Sequence, residues 1–463
     1  MSDIHQNGDT NSIAVKKFKS ALKQLKIGYD LDLILVAGDM TDSGSENQIK
    51  QFKSTLQSVY TEAIPLVYSL GNHDGQGGLT AERFQKIYGD AYFNADIDKN
   101  SIKSGNRHAV VNGYHFITIE TESYYNSNGD CSYSQETKVW LKDQLKLASE
   151  QSPEKPIFVA THAMIYNTAY GSTLPGTGTN WYTTELTEIL NEYPQAVTFG
   201  GHVHHPLNDE RSIMQTKFTS LGCGSVSYMA IESGYIQTGA TTVPNDCQKY
   251  SQGIVAQVDE KNNVRFTRMD FYNNSTIKEA WVISSPSAKN HLKEYTPERA
   301  DKNEAPSFGV NPEFAFTSDI SGYKCNLNVS FPAASDDDMV HHYEIEVSID
   351  GKVFKTYKLL SGFYLVPTTD KMAKKLVANL EALPTAKKAE INICAIDSWG
   401  AKSTPITYSL TTPGNPEISV PDADTKSKIY ASIEFSADGK YTDKFSKLLL
   451  TNVGADISVQ KFT

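Results

Sequence analysis

The residues of this chain that could carry chemistry stand where short apolar segments end. Residues 71–74 read Gly71-Asn72-His73-Asp74 and follow an apolar run at residues 64–70, whose pattern predicts a buried strand. An amide oxygen, an imidazole and a carboxylate in one turn could bind a metal ion or transfer protons. A polar turn without function has the same composition, so this stretch alone leaves both interpretations open.

Polar side chains follow the other apolar runs in the same way. Runs at residues 32–37, 156–161 and 196–199 each end in a polar cluster, and one more cluster opens the chain. The clusters contain Asp39, His162, His202 with His204, and Asp3 with His5. Apolar strands that alternate with helices favour a largely parallel sheet covered on both faces, which binds ligands at the carboxyl ends of its strands. Because five clusters occupy such ends, we predict that they form one site.

The segments between these runs predict the elements that position the site. Apolar residues at helical spacing predict helices at residues 13–26, 46–60, 80–88, 134–147 and 181–192. Asn112-Gly113 predicts a hairpin turn between two short strands. Further strands are expected at residues 213–221, 253–258 and 263–271. The region up to residue 285 is therefore expected to be an α/β domain.

Beyond this region the composition changes. Residues 286–306 are polar and contain prolines, which indicates a linker. Period-two alternation at residues 343–350 and 389–395 then predicts short strands. Several such strands separated by turn signals favour a β-sandwich, which we place at residues 307–415.

The sandwich has one specific sequence likeness. Residues 395–400 resemble a late strand and turn of fibronectin type III-like domains. Residues 416–463 carry mixed signals and stay unassigned.

The composition limits the partners. The chain has 463 residues, enough for two or three domains. Its net charge of −11 argues against a nucleic-acid duplex or an anionic membrane as partner, although a local cationic metal site would still attract phosphate. No apolar stretch of about 18 residues is present, so no transmembrane segment is expected. The five cysteines form no Cys-x-x-Cys pair, and their odd number leaves open two disulfides with a free thiol, or none.

The N-terminus is short for the strand that it should contain. A strand carrying Asp3 and His5 should have about five residues before them, but only Met1 and Ser2 are present. We hypothesise that the natural chain continues upstream with a strand and an export signal, since no signal peptide lies in this sequence. Together with the linker and the sandwich, this leads us to expect an extracellular or cell-surface location. The intact mass of the native protein tests the hypothesis.

In order and residue type, the five clusters resemble the motifs of the calcineurin-like metallophosphoesterases. The resemblance covers roughly residues 1–285 and implies a four-layer α/β/β/α fold that holds two metal ions. Ions about 3.5–4 Å apart can bind a phosphate and present a metal-bridging hydroxide for in-line attack. The implied ligands are Asp39, shared by both ions, with Asp3, His5 and His204 on the first ion and Asn72, His162 and His202 on the second. Nitrogen and oxygen donors suit Mn, Fe, Zn, Co or Ni, and the sequence leaves the choice among these metals open.

The same resemblance implies that His73 is a catalytic residue and not a ligand. Near the leaving oxygen, its imidazole could donate a proton or stabilise charge in the transition state. Asp74 is expected to orient the imidazole of His73.

The implied function is hydrolysis of phosphodiesters or phosphomonoesters, with a slight preference for a small-molecule phosphodiester such as a cyclic nucleotide. An acid phosphatase of the purple type would need a tyrosine ligand near Asp39, and residues 40–42 supply none. The alternative is a secreted or surface interaction protein, in which the β-sandwich binds carbohydrate or protein and the N-terminal domain is a scaffold. Turnover of bis-p-nitrophenyl phosphate or p-nitrophenyl phosphate with Mn²⁺ distinguishes the two hypotheses.

Overall fold

The computed structural model describes residues 1–414 apart from residues 63, 77–79, 89–104, 125–128, 174–180, 233–240 and 322–323. The chain divides into two units, Met1–Asn415 and Pro416–Thr463. The second unit, which contains the unassigned tail, lies outside the described residues.

Serine caps begin the three longest helices. The side chains of Ser12, Ser45 and Ser134 each accept a hydrogen bond from the main-chain amide three residues later, which satisfies a free donor of the first turn. The helices of the described residues are α1 (Ile13–Gly28), α2 (Glu46–Gln57), α3 (Asn72–Gln76), α4 (Ala81–Tyr88), α5 (Gln135–Gln151) and α6 (Thr187–Asn191). The helices predicted at residues 13–26, 46–60, 80–88 and 134–147 are thus confirmed.

Among the described residues, the strands of the N-terminal region form five sheets, two of which position the predicted ligands. The strands up to residue 283 are β1 (Ile34–Ala37), β2 (Leu66–Ser69), β3 (Arg107–Val111), β4 (Tyr114–Ile119), β5 (Ile157–Thr161), β6 (Met164–Ile165), β7 (Tyr182–Thr183), β8 (Ala196–Gly200), β9 (Ile213–Gln215), β10 (Thr219–Gly222), β11 (Ile231–Glu232), β12 (Thr241–Thr242), β13 (Gln252–Val258), β14 (Val264–Asp270), β15 (Ser275–Thr276) and β16 (Trp281–Ile283). β1 and β2 pair in parallel, and a six-stranded sheet has the order β3-β4-β5-β8-β10-β9. Its four inner strands are parallel, and antiparallel strands join at both edges. The apolar runs are thus parallel strands, but the one sheet expected from them is divided, because β1 and β2 pair with each other outside the six-stranded sheet. The predicted hairpin at Asn112-Gly113 is confirmed, with φ of +51° and +76°.

Three apolar clusters hold these layers together. Phe18 of α1 and Phe52 of α2 pack in a cluster with residues of β1 and β2. Phe158 of β5 and Phe266 of β14 belong to a second cluster between the sheets, and Leu141 of α5 belongs to a third, against β4 and β5. Because these clusters cover the faces of the sheets, the carboxyl ends of the strands remain available for polar residues.

Two predicted elements differ from the structure. The helix predicted at residues 181–192 is wrong over its first half, where β7 pairs in parallel with β6 and α6 begins only at Thr187. The main-chain groups of β7 find partners in a neighbouring strand, so tertiary pairing overrides the helical pattern. The strand predicted at residues 213–221 is two strands, β9 and β10, which reverse at residues 216–218 and pair antiparallel.

The C-terminal region is all-β, as expected. Its strands are β17 (Ala315–Ser321), β18 (Lys324–Pro332), β19 (Val340–Ile349), β20 (Lys352–Leu360), β21 (Lys375–Pro384), β22 (Lys388–Asp397) and β23 (Ile406–Thr411). They form a three-stranded sheet, β17-β18-β21, and a four-stranded sheet, β20-β19-β22-β23. Residues of both sheets, among them Leu327, Ile345 and Ile391, share one apolar cluster.

The segment predicted as a linker lies against the N-terminal region. It contains a 3₁₀ helix, Pro297–Lys302. Arg299 Nη2 donates a hydrogen bond to the carbonyl oxygen of Ile213 at 2.6 Å, and Gln215 Nε2 donates one to the carbonyl oxygen of His291 at 2.9 Å. The domain boundaries themselves stay predictions.

Three further observations concern the described residues as a whole. All five cysteines are among them and are free thiols. No helix in this part of the chain combines the length and the apolar character needed to cross a membrane. A cavity of about 660 Å³, lined by Met1, Leu35, Phe158 and Val258 among others, contains none of the predicted metal ligands in its wall.

Candidate metal centre

Five of the seven predicted ligands follow the carboxyl ends of strands. Asp39 follows β1, Asn72 begins α3 after β2, His162 follows β5, and His202 and His204 follow β8. Asp3 and His5 lie in an N-terminal segment outside the strands of the described residues, where main-chain hydrogen bonds join it to the residues after β1. The amide of Asp3 donates to the carbonyl oxygen of Gly38 at 3.1 Å.

One group of side chains contains Asp3, His5, Asp39 and His204, whose ligand atoms all lie within 4.8 Å of one another. His204 Nε2 is 3.1 Å from Asp3 Oδ1 and 3.3 Å from His5 Nε2. His5 Nε2 is 3.8 Å from Asp39 Oδ2. Three imidazole and carboxylate groups thus converge with Asp39 on one point.

A second group contains Asp39, His162 and His202, again within 4.8 Å. His162 Nε2 lies 3.2 Å from Asp39 Oδ2 and 3.2 Å from Asn72 Oδ1. Asp39 therefore belongs to both groups, as a carboxylate shared by two neighbouring ions would.

The donor set fits two divalent cations. Asp3 and Asp39 are 0% and 1% exposed, and a buried carboxylate needs a counter-charge. Nitrogen atoms of His5 and His204 face each other, as two ligands of one ion do. In the metal-free protein, neighbouring protonated imidazoles could balance these carboxylates in part, whereas cations with nitrogen and oxygen ligands would balance them directly.

Main-chain carbonyl groups fix the tautomers of two histidines. His162 Nδ1 lies 2.7 Å from the carbonyl oxygen of Ala37, and His204 Nδ1 lies 3.0 Å from that of Tyr228. A carbonyl oxygen only accepts hydrogen bonds, so both Nδ1 atoms carry the proton. Each Nε2 is therefore available to bind a metal ion. Histidine ligands are usually oriented in this way, by a hydrogen bond from the other ring nitrogen.

The backbone is strained at five of the seven predicted ligands. Their φ angles are positive: Asp3 +53°, His5 +50°, Asp39 +52°, His202 +72° and His204 +55°. A left-handed conformation is uncommon outside glycine and costs about 1–3 kcal/mol per residue. Such strain accumulates at functional sites, because the surrounding fold must hold each side chain in one direction.

His73 stands at the edge of both groups. Its amide donates to Asp39 Oδ1 at 3.0 Å, and its ring packs edge-on against His5, with centroids 4.6 Å apart. Its Nδ1 lies 2.8 Å from the carbonyl oxygen of Asp42, which leaves Nε2 without a partner among the described contacts. The free Nε2 is the atom that a catalytic role would use.

Asp74 has a different environment from the one expected. Its carboxylate accepts hydrogen bonds from the amides of Met40, Thr41 and Gly71 at 2.9–3.2 Å and from Thr41 Oγ1 at 2.6 Å. These contacts tie the turn after β1 to the turn after β2. The orientation of His73 by Asp74 stays a prediction, and the described contacts of the Asp74 carboxylate are all with these two turns.

Sequence reasoning missed two kinds of residue at this site. Asp42 Oδ1 lies 3.6 Å from His5 Nδ1, and its position three residues after Asp39 could have identified it. Tyr228 contributes a carbonyl oxygen and a ring 4.3 Å from that of His204, and the ring of Trp181 is 5.2 Å from that of His202. Neither aromatic residue stands in a recognisable motif.

Metal binding is expected to release a proton from His162. In the metal-free protein burial alone would lower the pKa of His162, but the Asp39 carboxylate outweighs burial and raises this pKa to about 9. Because a metal ion binds only neutral imidazole, metal affinity should increase with pH up to about pH 9. Titration of weakly buffered metal-free protein with Mn²⁺ near neutral pH should therefore release the proton of His162, together with that of His204, whose pKa the Asp3 carboxylate raises against the effect of burial.

His202 provides the internal control for this titration. Burial lowers the pKa of His202 to about 3, so its imidazole is already neutral and releases nothing. A His162→Gln variant should release less than the unaltered protein, by the proton of His162, while His204 still releases its own. Metal binding by the unaltered protein without any release would contradict the prediction.

Comparisons with known proteins agree on the N-terminal part. Residues 1–206 match the sequence model of the calcineurin-like phosphoesterase family. No curated protein is similar enough in sequence to count as a match.

The solved structures that match this chain have low sequence identity to it. A purple acid phosphatase from yellow lupin seeds is 12% identical with a TM-score of 0.42, and 61% of this chain and 52% of that chain are covered. PhoD is 10% identical with a TM-score of 0.32, covering 61% and 72% of the two chains. An fn3 domain of human collagen alpha-1(XX) is 18% identical with a TM-score of 0.16, covering 25% and 93%. The chain spans about half the length of the lupin phosphatase chain.

Proposed function

We propose, from the calcineurin-like phosphoesterase domain that residues 1–206 form, that this chain hydrolyses phosphate esters with two metal ions. The predictions of a metal-dependent phosphoesterase and of a dinuclear metal centre are confirmed for this domain by its family. The observation that carries the proposal for the whole chain is the position of Asp39, which belongs to both groups of ligand atoms.

The residues divide the work between binding and catalysis. Asp3, His5 and His204 would hold one ion, and Asn72, His162 and His202 the other, with Asp39 between them. When bound, two divalent ions neutralise charge on the phosphate and lower the pKa of water toward ~7. His73 lies beside the shared carboxylate. Its Nδ1–H is directed at the carbonyl oxygen of Asp42, so the ring would donate a proton from Nε2 to a leaving oxygen in its doubly protonated, imidazolium form.

His73→Ala is expected to lower kcat by about 10²–10⁴-fold, the scale of a lost general acid, with both metal ions retained. Metal retention is expected because only the amide of His73 contacts Asp39, and the substitution leaves the amide in place. The measurement pairs steady-state kinetics on bis-p-nitrophenyl phosphate with metal analysis of the same preparation. The control is His291→Ala, because His291 lies outside both ligand groups and its ring is hydrogen-bonded to the carbonyl oxygen of Pro194. If His73→Ala had the same kinetics as this control, His73 would have no catalytic role.

We also propose a small-molecule phosphodiester, such as a cyclic nucleotide, as the preferred substrate class. Rings of Trp181 and Tyr228 pack against the ligand histidines, and an aromatic wall supports a planar group by stacking. A panel of cyclic nucleotides and phosphomonoesters with Mn²⁺, with and without chelator, tests the preference. Metal binding without turnover of any ester would favour the interaction protein whose sandwich binds carbohydrate or protein.

The finer features of the architecture belong to the same proposal. The four-layer α/β/β/α arrangement is supported by three apolar clusters. One packs α1 and α2 on β1 and β2, one lies between the sheets, and one packs α5 on β4 and β5. Sheets of three and four strands around one core support a fibronectin type III-like sandwich. An extracellular or cell-surface location is proposed from the combination of enzyme and sandwich, and fractionation of the source cells tests it.

A further inference from the structure

One segment of the chain contacts both the metal centre and the C-terminal sandwich. It follows β10 and comprises residues 225–232, which we call the bridging segment. Its first half contacts the predicted ligands of the first ion: the amide of Ser227 donates to the carbonyl oxygen of Asp3 at 3.1 Å, and Ser225 Oγ donates to the same oxygen at 3.2 Å. The carbonyl oxygen of Tyr228 accepts from His204 Nδ1 at 3.0 Å.

The second half of the bridging segment packs on the sandwich. Met229 and Ile231 are fully buried, and they share an apolar cluster with Leu360 and with Phe363 and Tyr364, which are 2% and 3% exposed. Phe363 and Tyr364 lie in the loop at residues 361–367, between β20 and β21, which we call the docking loop. Met229 is therefore one residue away from the carbonyl group that orients His204.

Polar contacts fasten the docking loop on both of its flanks. Tyr364 Oη donates to Asp246 Oδ1 at 2.8 Å, and Asn208 Nδ2 donates to the carbonyl oxygen of Val366 at 2.8 Å. The amide of Lys278 donates to the carbonyl oxygen of Pro367 at 3.1 Å. Beside the loop, His341 Nε2 of β19 lies 3.5 Å from Glu232 Oε2, at the end of the bridging segment. The loop is thus fixed by the N-terminal region at several points.

We propose that the sandwich is a positioning element of the first metal site, and that Phe363 acts through the bridging segment on Asp3 and His204. This inference rests on the proposed function, because it uses the ligand assignment made there. The second ligand group is connected to the bridging segment only indirectly. His162 is oriented by Ala37 of β1, and the amide of His202 donates to Asp3 Oδ2 at 3.2 Å. A loosened docking loop should therefore weaken the first ion more than the second.

Phe363→Leu tests this coupling without removing any ligand. Metal-free protein is titrated with Mn²⁺, and the two dissociation constants are measured by calorimetry. Loss of indirect support for a ligand typically costs 10–100-fold in metal affinity, so the first ion should bind about 10–100-fold more weakly while the affinity for the second changes less. Phe331→Leu makes the same change at a fully buried position in the sandwich core and should leave both ions unchanged.

Tyr364→Phe keeps the ring and removes only the hydroxyl group that donates to Asp246. It should weaken the same ion by about 2- to 10-fold, the scale of one hydrogen bond, and it remains informative if Phe363→Leu fails to fold. Wild-type affinity for both ions in the two docking-loop variants, or equal weakening of both ions, would overturn the proposal. Unaltered protein that binds no ion would overturn the proposed function together with it.

Discussion

Asp39→Ala is expected to abolish measurable turnover and to release metal. Asp39 is the one residue that lies in both ligand groups, so its loss removes a ligand from each ion and the negative charge that holds two cations together. The loss in kcat should exceed the 10²–10⁴-fold typical of a missing general acid or base. Affinity for both ions should fall by more than the 10–100-fold that is typical when a residue hydrogen-bonded to a ligand is substituted.

Asp42→Ala is the matched control for local charge. Asp42 stands three residues later, its side chain is 53% exposed, and its carboxylate lies 3.6 Å from His5 Nδ1 but belongs to neither ligand group that contains Asp39. The Asp42→Ala variant should retain both ions and most of the activity if the ions are bound by a shared carboxylate and not by the total negative charge nearby. Kinetics on bis-p-nitrophenyl phosphate and metal analysis of both variants decide between these two explanations. An Asp39→Ala protein with two bound ions would refute the assignment of Asp39 as a shared ligand.

Gly71→Ala is expected to be nearly as damaging, although it adds only a methyl group. A Cβ atom at Gly71 would lie 2.0 Å from Asp39 Oδ1 and 2.5 Å from the amide nitrogen of Asp39. Neither atom can give way without moving the shared carboxylate, since that residue is buried and in a left-handed conformation. A misplacement of about 1 Å can cost about 10²-fold in rate, so kcat should fall at least that far.

Gly75→Ala makes the same chemical change four residues away. A Cβ atom at Gly75 meets nothing within 4 Å, and Gly75 lies in α3, where alanine is favoured by roughly 0.5–1 kcal/mol. This variant should keep wild-type kinetics and metal content. If Gly71→Ala behaved like Gly75→Ala in metal analysis and kinetics, the close approach of the two turns would not matter for catalysis.

The site was largely predictable because buried parallel strands leave a readable pattern. A strand such as β5 is apolar along its whole length, so the polar residue that ends it, His162, is conspicuous. Residue types then indicate the metal chemistry, since imidazole and carboxylate groups at several strand ends have few other uses.

Contacts through the main chain were not predictable. The carbonyl oxygens of Ala37 and Tyr228 orient two ligands, and any residue could supply them. The helix predicted over residues 181–192 was wrong at its start because strand pairing with β6 decides the conformation there. The docking of the sandwich likewise depends on Phe363 and Tyr364, which an alternating strand pattern does not distinguish from ordinary core residues.

The distance along the chain between the two halves of the first metal site has a consequence for biosynthesis. His5 and His204 meet across 199 residues, and a ribosome that adds about 5–20 residues per second needs about 10–40 s to cover that distance. During this interval the nascent chain already contains Asp3 and His5 but does not yet contain His204, which completes the ligands of the first ion. Loading of that ion with its complete ligand set must therefore follow the emergence of the second half of the domain.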